Sequence, residues 1–164
     1  MGSELKGSYR SAEAIARRRS NFYYSFLVLP AEKRRAFCAV YAFMRFCDDI
    51  SDGGAGTEQK RKMLREWRTQ IDASARQATG FDDARNNPIL PAFHDTMITY
   101  SIPERYFHWI IDGAEMDLDN VRYETFQDLY NYCFHVASAV GLVCLQLFGY
   151  RDERARVLAE HCGI

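Results

Sequence analysis

Asp48 and Asp52 stand four residues apart in the run RFCDDISDGG, residues 45–54. At about 100° per residue, Phe37, Tyr41, Met44, Asp48 and Asp52 fall in one narrow stripe of a helix, with Arg45 on its flank. The stripe begins apolar and ends in carboxylates, whereas Asp49 is turned roughly a quarter-circle away. Acids are disfavoured at a helix C-terminus, because the unpaired carbonyls there already carry partial negative charge. Two carboxylates on neighbouring turns at that end also repel each other, and a bound cation reverses the sign of that cost. Oxygen-only ligation from one or two carboxylates, completed by water and phosphate, is what Mg²⁺ prefers. The bland alternative is a solvated acidic helix end leading into the loop GGAG, since acids are mostly exposed. The greasy helix before it, and the alignment with Tyr41 and Arg45, favour a site.

The elements that must position these residues are helices. Pro30, Pro88, Pro91 and Pro103 each fall where a helix should start or stop. The pattern predicts helices over about Ser11–Tyr24, Pro30–Ser51, Thr57–Ala78, Ile89–Tyr100, Pro103–Asp117 and Thr125–Phe148, with a further one opening at Asp152. No segment alternates as a strand would, so the fold class is all-α. Two of the helices are apolar on nearly every side: RRAFCAVYAFMRFCDD, and YCFHVASAVGLVCLQLFG at residues 132–149. Both are expected in the interior. The second is nearly long enough to cross a bilayer, but His135, Ser138 and Gln146 interrupt it and no arginine-rich flank sets an orientation. Two central helices shielded by amphipathic ones imply a bundle larger than four helices.

Composition limits the rest. The 164 residues suit one domain or a piece of a larger one, and 48% hydrophobic content is enough for a buried core. With 21 basic against 22 acidic side chains, nothing argues for nucleic acid as a partner. The cysteines at 38, 47, 133, 144 and 162 form no CxxC pair and read as reduced, mostly buried thiols. The four histidines match no zinc spacing. MGSELKGSYR lacks the apolar segment of a signal peptide and the Ser or Thr of a myristoylation site. The expectation is a cytoplasmic protein, with peripheral contact to a membrane left open.

The segment FYYSFLVLPAEKRRAFCAVYAFMRFCDDISD resembles the N-terminal signature of the squalene/phytoene synthase family, and GAEMDLDNVRYETFQDLYNYCFHVASAVGLVCLQLFG is similar to that family's middle segment. The resemblance covers about Ser20 to Gly163. It implies an isoprenoid-synthase helical fold and head-to-head joining of two prenyl diphosphates, farnesyl or geranylgeranyl, to a squalene-, presqualene- or phytoene-type product. It further implies that Asp48 and Asp52 bind diphosphate through Mg²⁺ and that Arg45 contacts the diphosphate. Tyr41 would face the site, Tyr132 would lie near the reacting carbons, and Phe22, Phe26, Val136 and Val140 would line the prenyl-tail channel. Use of NADPH is left open. Members of the family are considerably longer and carry a second aspartate-rich motif, so the resemblance implies a truncated domain over residues 1–164. Such a chain would be inactive alone and would need its C-terminal half or self-association.

The chemistry suits these residue types. Diphosphate leaves poorly until metal and arginine neutralise its developing charge. The allylic cation left behind needs a dry, aromatic-faced cavity. Tyr132, Val136 and Val140 recur every fourth residue, so one helix face can supply an aromatic and an apolar wall, although plain core packing explains the same spacing. Other candidates read as structural. Arg17, Arg18 and Arg19 form an exposed basic run, although a diphosphate contact is open to them; the family often carries histidine and lysine where Arg18 and Ser20 stand. Asp112, Glu115, Asp117 and Asp119 read as a solvated helix end with no aromatic or basic partner for Asp117. His135 and Gln146 read as satisfied core polar groups. The competing functions are a terpene cyclase, which the segment AVGLVCLQLFG argues against, and a non-catalytic helical module that binds lipid or a partner chain.

Overall fold

A computed structural model describes residues 2–75, 87–119 and 122–164, and among these the regular elements are all helical. They are α1 (Ser3–Arg19), α2 (Tyr23–Phe26), α3 (Ala31–Ser51), α4 (Thr57–Ala75), α5 (Leu90–Thr99), α6 (Glu104–Met116), α7 (Phe126–Cys133), α8 (Ala139–Phe148) and α9 (Arg154–His161). A 3₁₀ turn, Asp117–Asp119, follows α6, and a π-turn, Phe134–Ser138, joins α7 to α8. Proline sets the starts as the sequence predicts. Pro30 and Pro103 are the extended residues just before α3 and α6, and Pro91 sits in the first turn of α5. Thr125 caps α7 reciprocally with Asp128, each side chain accepting from the other's backbone N–H at 3.1 Å. Gly149, at φ +78°, ends α8 in a conformation that side chains resist.

Two boundaries differ from the sequence reading. Helix α1 begins at Ser3, eight residues before the expected Ser11, because tertiary contacts hold its first turns. The Tyr9 hydroxyl donates to Asp95 Oδ2 at 2.7 Å, and Ser8 Oγ accepts from the Ala92 N–H at 2.9 Å. At the other end the chain leaves the helix at Ser20, whose backbone is extended, so Tyr23 and Tyr24 belong to the separate turn α2. The expected end of the third helix, residues 76–78, lies outside the described residues.

Helix α3 is the central strut. It packs against α1, α4, α5, α6 and α8, and buries Ala36, Phe37, Cys38, Ala39, Val40, Ala42, Phe43 and Cys47 around its circumference, as an all-apolar helix must. Phe43 is its hub. The ring stacks on Phe93 at 4.1 Å and on Trp67 at 5.1 Å, and meets Phe107 edge-on at 5.3 Å. The second apolar helix departs from expectation. Ser138, Ala139, Leu142, Val143 and Leu147 are buried, while Phe126 and Phe148 are mostly exposed. Among the described residues its cover comes from α6, α3 and α9. The continuous run Phe126–Phe148 is long and apolar enough to cross a membrane by length and composition.

Candidate active site

The C-terminal half of α3 and the end of α6 converge on α7 and the π-turn. Tyr41, Met44, Arg45 and Asp48 of α3, Ile110 and Ala114 of α6, Asp117, and Tyr132, Val136 and Val140 line one cavity of about 250 Å³. The 3.6-residue repeat of α3 places Tyr41, Met44 and Asp48 on the face turned to α6, with Arg45 beside them. One end of the cavity is therefore acidic and hydrogen-bonding, and the other is aliphatic.

Charge at the polar end is unbalanced. Asp48 has its carboxyl held above the usual range, first by loss of water around it; Arg45 opposes that shift, while Asp52, Asp49 and Asp117 add to it. Arg45 stands 2.6 Å from Asp49 and 3.7 Å from Asp48. Burial is the largest single influence and works against its charge, but the bond to Asp49 together with the charges of Asp49 and Asp48 raises it above its ordinary value. The Nε of Arg45 is buried without a hydrogen-bond partner among the described residues. A buried donor left unmatched costs free energy, and this one lies beside the cavity. Four carboxylates within electrostatic reach and one orphaned guanidinium N–H suit an anion accompanied by a hard divalent cation.

Tyr132 reaches across this end. Its hydroxyl donates to Asp117 Oδ1 at 2.8 Å, and its ring packs at 4.9 Å against Tyr123. That bond, and then partial burial, push the phenol up to about 12. Asp117 therefore has an aromatic partner and faces the same cavity as Asp48, which corrects the reading of its cluster as a bare solvated end. The rest of that cluster is paired as well. Arg68 lies 2.6 Å from Asp112 and 3.6 Å from Glu115, and Arg61 pairs with Asp119. The sequence signal that was available is the spacing of Asp117 and Tyr132 across a short connection, but side chains from two different helices meet only once the crossing is known.

The remaining expectations fall as follows. Asp52 caps α3 at the mouth of the site and is exposed, outside the cavity lining. Phe22 is exposed, and Phe26 packs on Phe37 at 5.5 Å; neither reaches the cavity. Asp49, turned away as expected, is held by Arg45 and by Arg19 at 2.7 Å. Arg18 and Arg19, exposed as read, thus border a second cavity of about 260 Å³ on the other side of Arg45. His135 and Gln146 are satisfied by the carbonyls of Asn131 at 2.7 Å and Ser101 at 3.4 Å. Among the described residues, Asp72, Glu104 and His108 bring ligand atoms within 4.8 Å of one another. His108 Nε2 of α6 lies 3.4 Å from Asp72 of α4, and Arg68 stands beside its Nδ1.

Comparison with known proteins decides the class. The family model described as squalene/phytoene synthase matches residues 15–164. The chain belongs to the squalene/phytoene synthase family. It is 36% identical over 163 residues to the phytoene synthase of Mycobacterium tuberculosis, covering 99% of this chain and 51% of that protein. It is likewise 36% identical over 145 residues to the presqualene diphosphate synthase of Rhodopseudomonas palustris, covering 88% of this chain and 50% of that one. Among solved structures it is similar to a squalene synthase from Alicyclobacillus acidocaldarius, at TM-score 0.83 and 28% identity, over 98% of this chain and 58% of that one. A dehydrosqualene synthase crystallised with a ligand gives TM-score 0.80 and 28% identity, over 98% and 54%. Relatives with these names are prenyltransferases, and the fold is that of their isoprenoid-synthase class. The chain spans about half the length of the curated relatives it matches.

Proposed function

We propose that this chain carries the diphosphate-ionising and tail-binding side of a head-to-head prenyltransferase site. Its substrates would be farnesyl or geranylgeranyl diphosphate and its product of squalene, presqualene or phytoene type. The observation that carries the reading is the single cavity in which Arg45, Asp48, Asp117, Tyr41 and Tyr132 end where Ile110, Ala114, Val136 and Val140 begin. A prenyl diphosphate is polar at one end and apolar along the rest, and the cavity is graded the same way.

Asp48, with Asp52 and Asp117 nearby, would hold Mg²⁺, which when bound supplies positive charge to the leaving diphosphate. Arg45, which lines the same end of the cavity, adds a guanidinium whose positive charge would oppose the negative charge developing on the leaving diphosphate. Tyr132 stays protonated at neutral pH, because its proton is held toward Asp117. Its hydroxyl therefore cannot act as a base on the hydrocarbon, and its ring presents a cation-attracting face beside the apolar wall. Val136 and Val140 exclude water where the carbon chain would lie.

The test is incubation of the protein with C15 and C20 diphosphates in Mg²⁺, with and without NADPH, followed by extraction and product analysis, alongside calorimetric binding of unreactive thio-analogues. Metal-dependent binding of an analogue, with or without a head-to-head product, supports the reading. Absence of both binding and product at millimolar metal overturns it in favour of a helical module that binds something else.

A further inference from the structure

On an ordinary α-helix Tyr132, Val136 and Val140 share a face but drift across it. Each four-residue step overshoots a full turn by about 40°, so Val140 would stand roughly 80° round from Tyr132. Yet all three line the same cavity. The π-turn at Phe134–Ser138 accounts for this, because its wider i→i+5 turn absorbs the overshoot. Such turns are rare, and this one is braced from three sides. The His135 ring, inside the π-turn, bonds back to the Asn131 carbonyl of α7 at 2.7 Å. Ser138 Oγ donates to the Glu160 carbonyl of α9 at 2.6 Å. On the third side stands Gly113 of α6. A Cβ there would lie 3.0 Å from Val136 Cγ1, 3.1 Å from the His135 carbonyl carbon and 3.2 Å from its oxygen. Gly113 is itself buried and is not among the residues lining this cavity. Its neighbour Ala114 and its contact Val136 both are.

We infer that Gly113 is a specificity-determining position: its bare Cα lets α6 lie against the π-turn and so sets how far Val136 stands into the cavity. The width left for an apolar chain between Val136 and the α3 face, with Tyr41 and Met44, depends on that close approach. Adding a methyl at 113 forces Val136 and the His135 peptide to give by a few tenths of an ångström, and the open direction for Val136 is the cavity it already lines. The polar end, built by Arg45, Asp48 and Asp117, is untouched by such a shift. Gly113 therefore acts on the tail and not on the headgroup. This inference rests on the prenyl diphosphate reading for the identity of the ligand, though not for the geometry.

The experiment compares wild type, Gly113→Ala, Gly113→Ala/Val136→Ala and Val136→Ile by calorimetry with three probes: inorganic pyrophosphate with Mg²⁺, farnesyl thiodiphosphate with Mg²⁺, and farnesol alone. Thermal unfolding is followed for each protein. Gly113→Ala is expected to weaken both farnesyl probes about ten-fold, the effect of one methylene in a filled apolar pocket, with pyrophosphate unchanged. Removing the Val136 methyls should restore most of the loss, and Val136→Ile, which adds bulk on the cavity side of the contact while Gly113 stays bare, should reproduce it. Equal weakening of all three probes together with a lowered melting temperature would make Gly113 a merely structural residue and overturn the inference, as would unchanged farnesyl binding. Should wild type bind farnesol but no diphosphate, the functional reading fails while the farnesol comparison still decides the role of Gly113. Failure of wild type to bind any probe sinks both.

Discussion

Replacing Tyr132 by Phe removes one hydroxyl and keeps the ring that packs on Tyr123. The lost interaction is a 2.8 Å hydrogen bond to a carboxylate, Asp117. A bond to a charged partner is worth up to a few kcal/mol when shielded, but Asp117 is exposed and Tyr132 only partly buried, so about 1 kcal/mol is the reasoned cost. For a chain of this size that corresponds to roughly 2–4 °C in melting temperature. The pH dependence has a definite sign. The folded phenol is raised from 10.0 to about 12, so its stabilisation is fully present below pH 10 and is lost as pH rises through about 12. Denaturant titrations of both proteins at pH 7 and 9 should show the full difference, narrowing above 10. Ultraviolet titration of tyrosinate should show that the variant lacks one phenol ionising near 12. Identical stabilities at neutral pH, with the phenol missing from the variant ionising near the ordinary 10.0 instead of about 12, would refute the Tyr132–Asp117 contact.

Phe43→Ala empties the centre of the stack with Phe93, Trp67 and Phe107 and should cost about 3–5 kcal/mol by chemical denaturation, with a value under about 1 contradicting its role as hub. Burial pushes the Cys38 thiol up to about 12 and raises Cys47 as well, while Cys162 is exposed. Iodoacetamide at pH 8 should therefore alkylate Cys162 long before either of them, as mass spectrometry of timed digests would show. Val140→Trp should reduce binding of C20 thio-analogues more than C15 ones and leave Mg²⁺-pyrophosphate binding unchanged. Parallel loss across all three would point to a collapsed core.

The helical class, the proline-set starts and the centrality of α3 were legible because they follow from short-range pattern: a helix that is apolar on every side has nowhere to go but inward. The alignment of Tyr41, Met44 and Asp48 was legible for the same reason, since one regular helix fixes it. What escaped depends on contacts between distant segments. Ser3–Arg10 looks too polar for a packed helix until Tyr9 and Ser8 find α5. Asp117 looks unpartnered until Tyr132 arrives from another helix. The four-residue spacing of Tyr132, Val136 and Val140 implies a common face on a helix, and the face is real, but the π-turn that narrows its drift, packed against Gly113, leaves no mark in the spacing. The interior placement of residues 132–149 overreached, because hydrophobicity shows that a surface is meant to be covered and not by what.

The central claim is that one cavity recognises a prenyl diphosphate through the carboxylates at its polar end. Calorimetric titration of farnesyl thiodiphosphate into wild type, Asp48→Asn and Asp117→Asn, each with and without Mg²⁺, tests it most directly. The account predicts metal-dependent binding by wild type, its loss in Asp48→Asn, and a clear weakening in Asp117→Asn, with melting temperatures preserved because each change relieves repulsion among like charges. Binding of equal strength in all three proteins, or binding by wild type that ignores the metal, would contradict it.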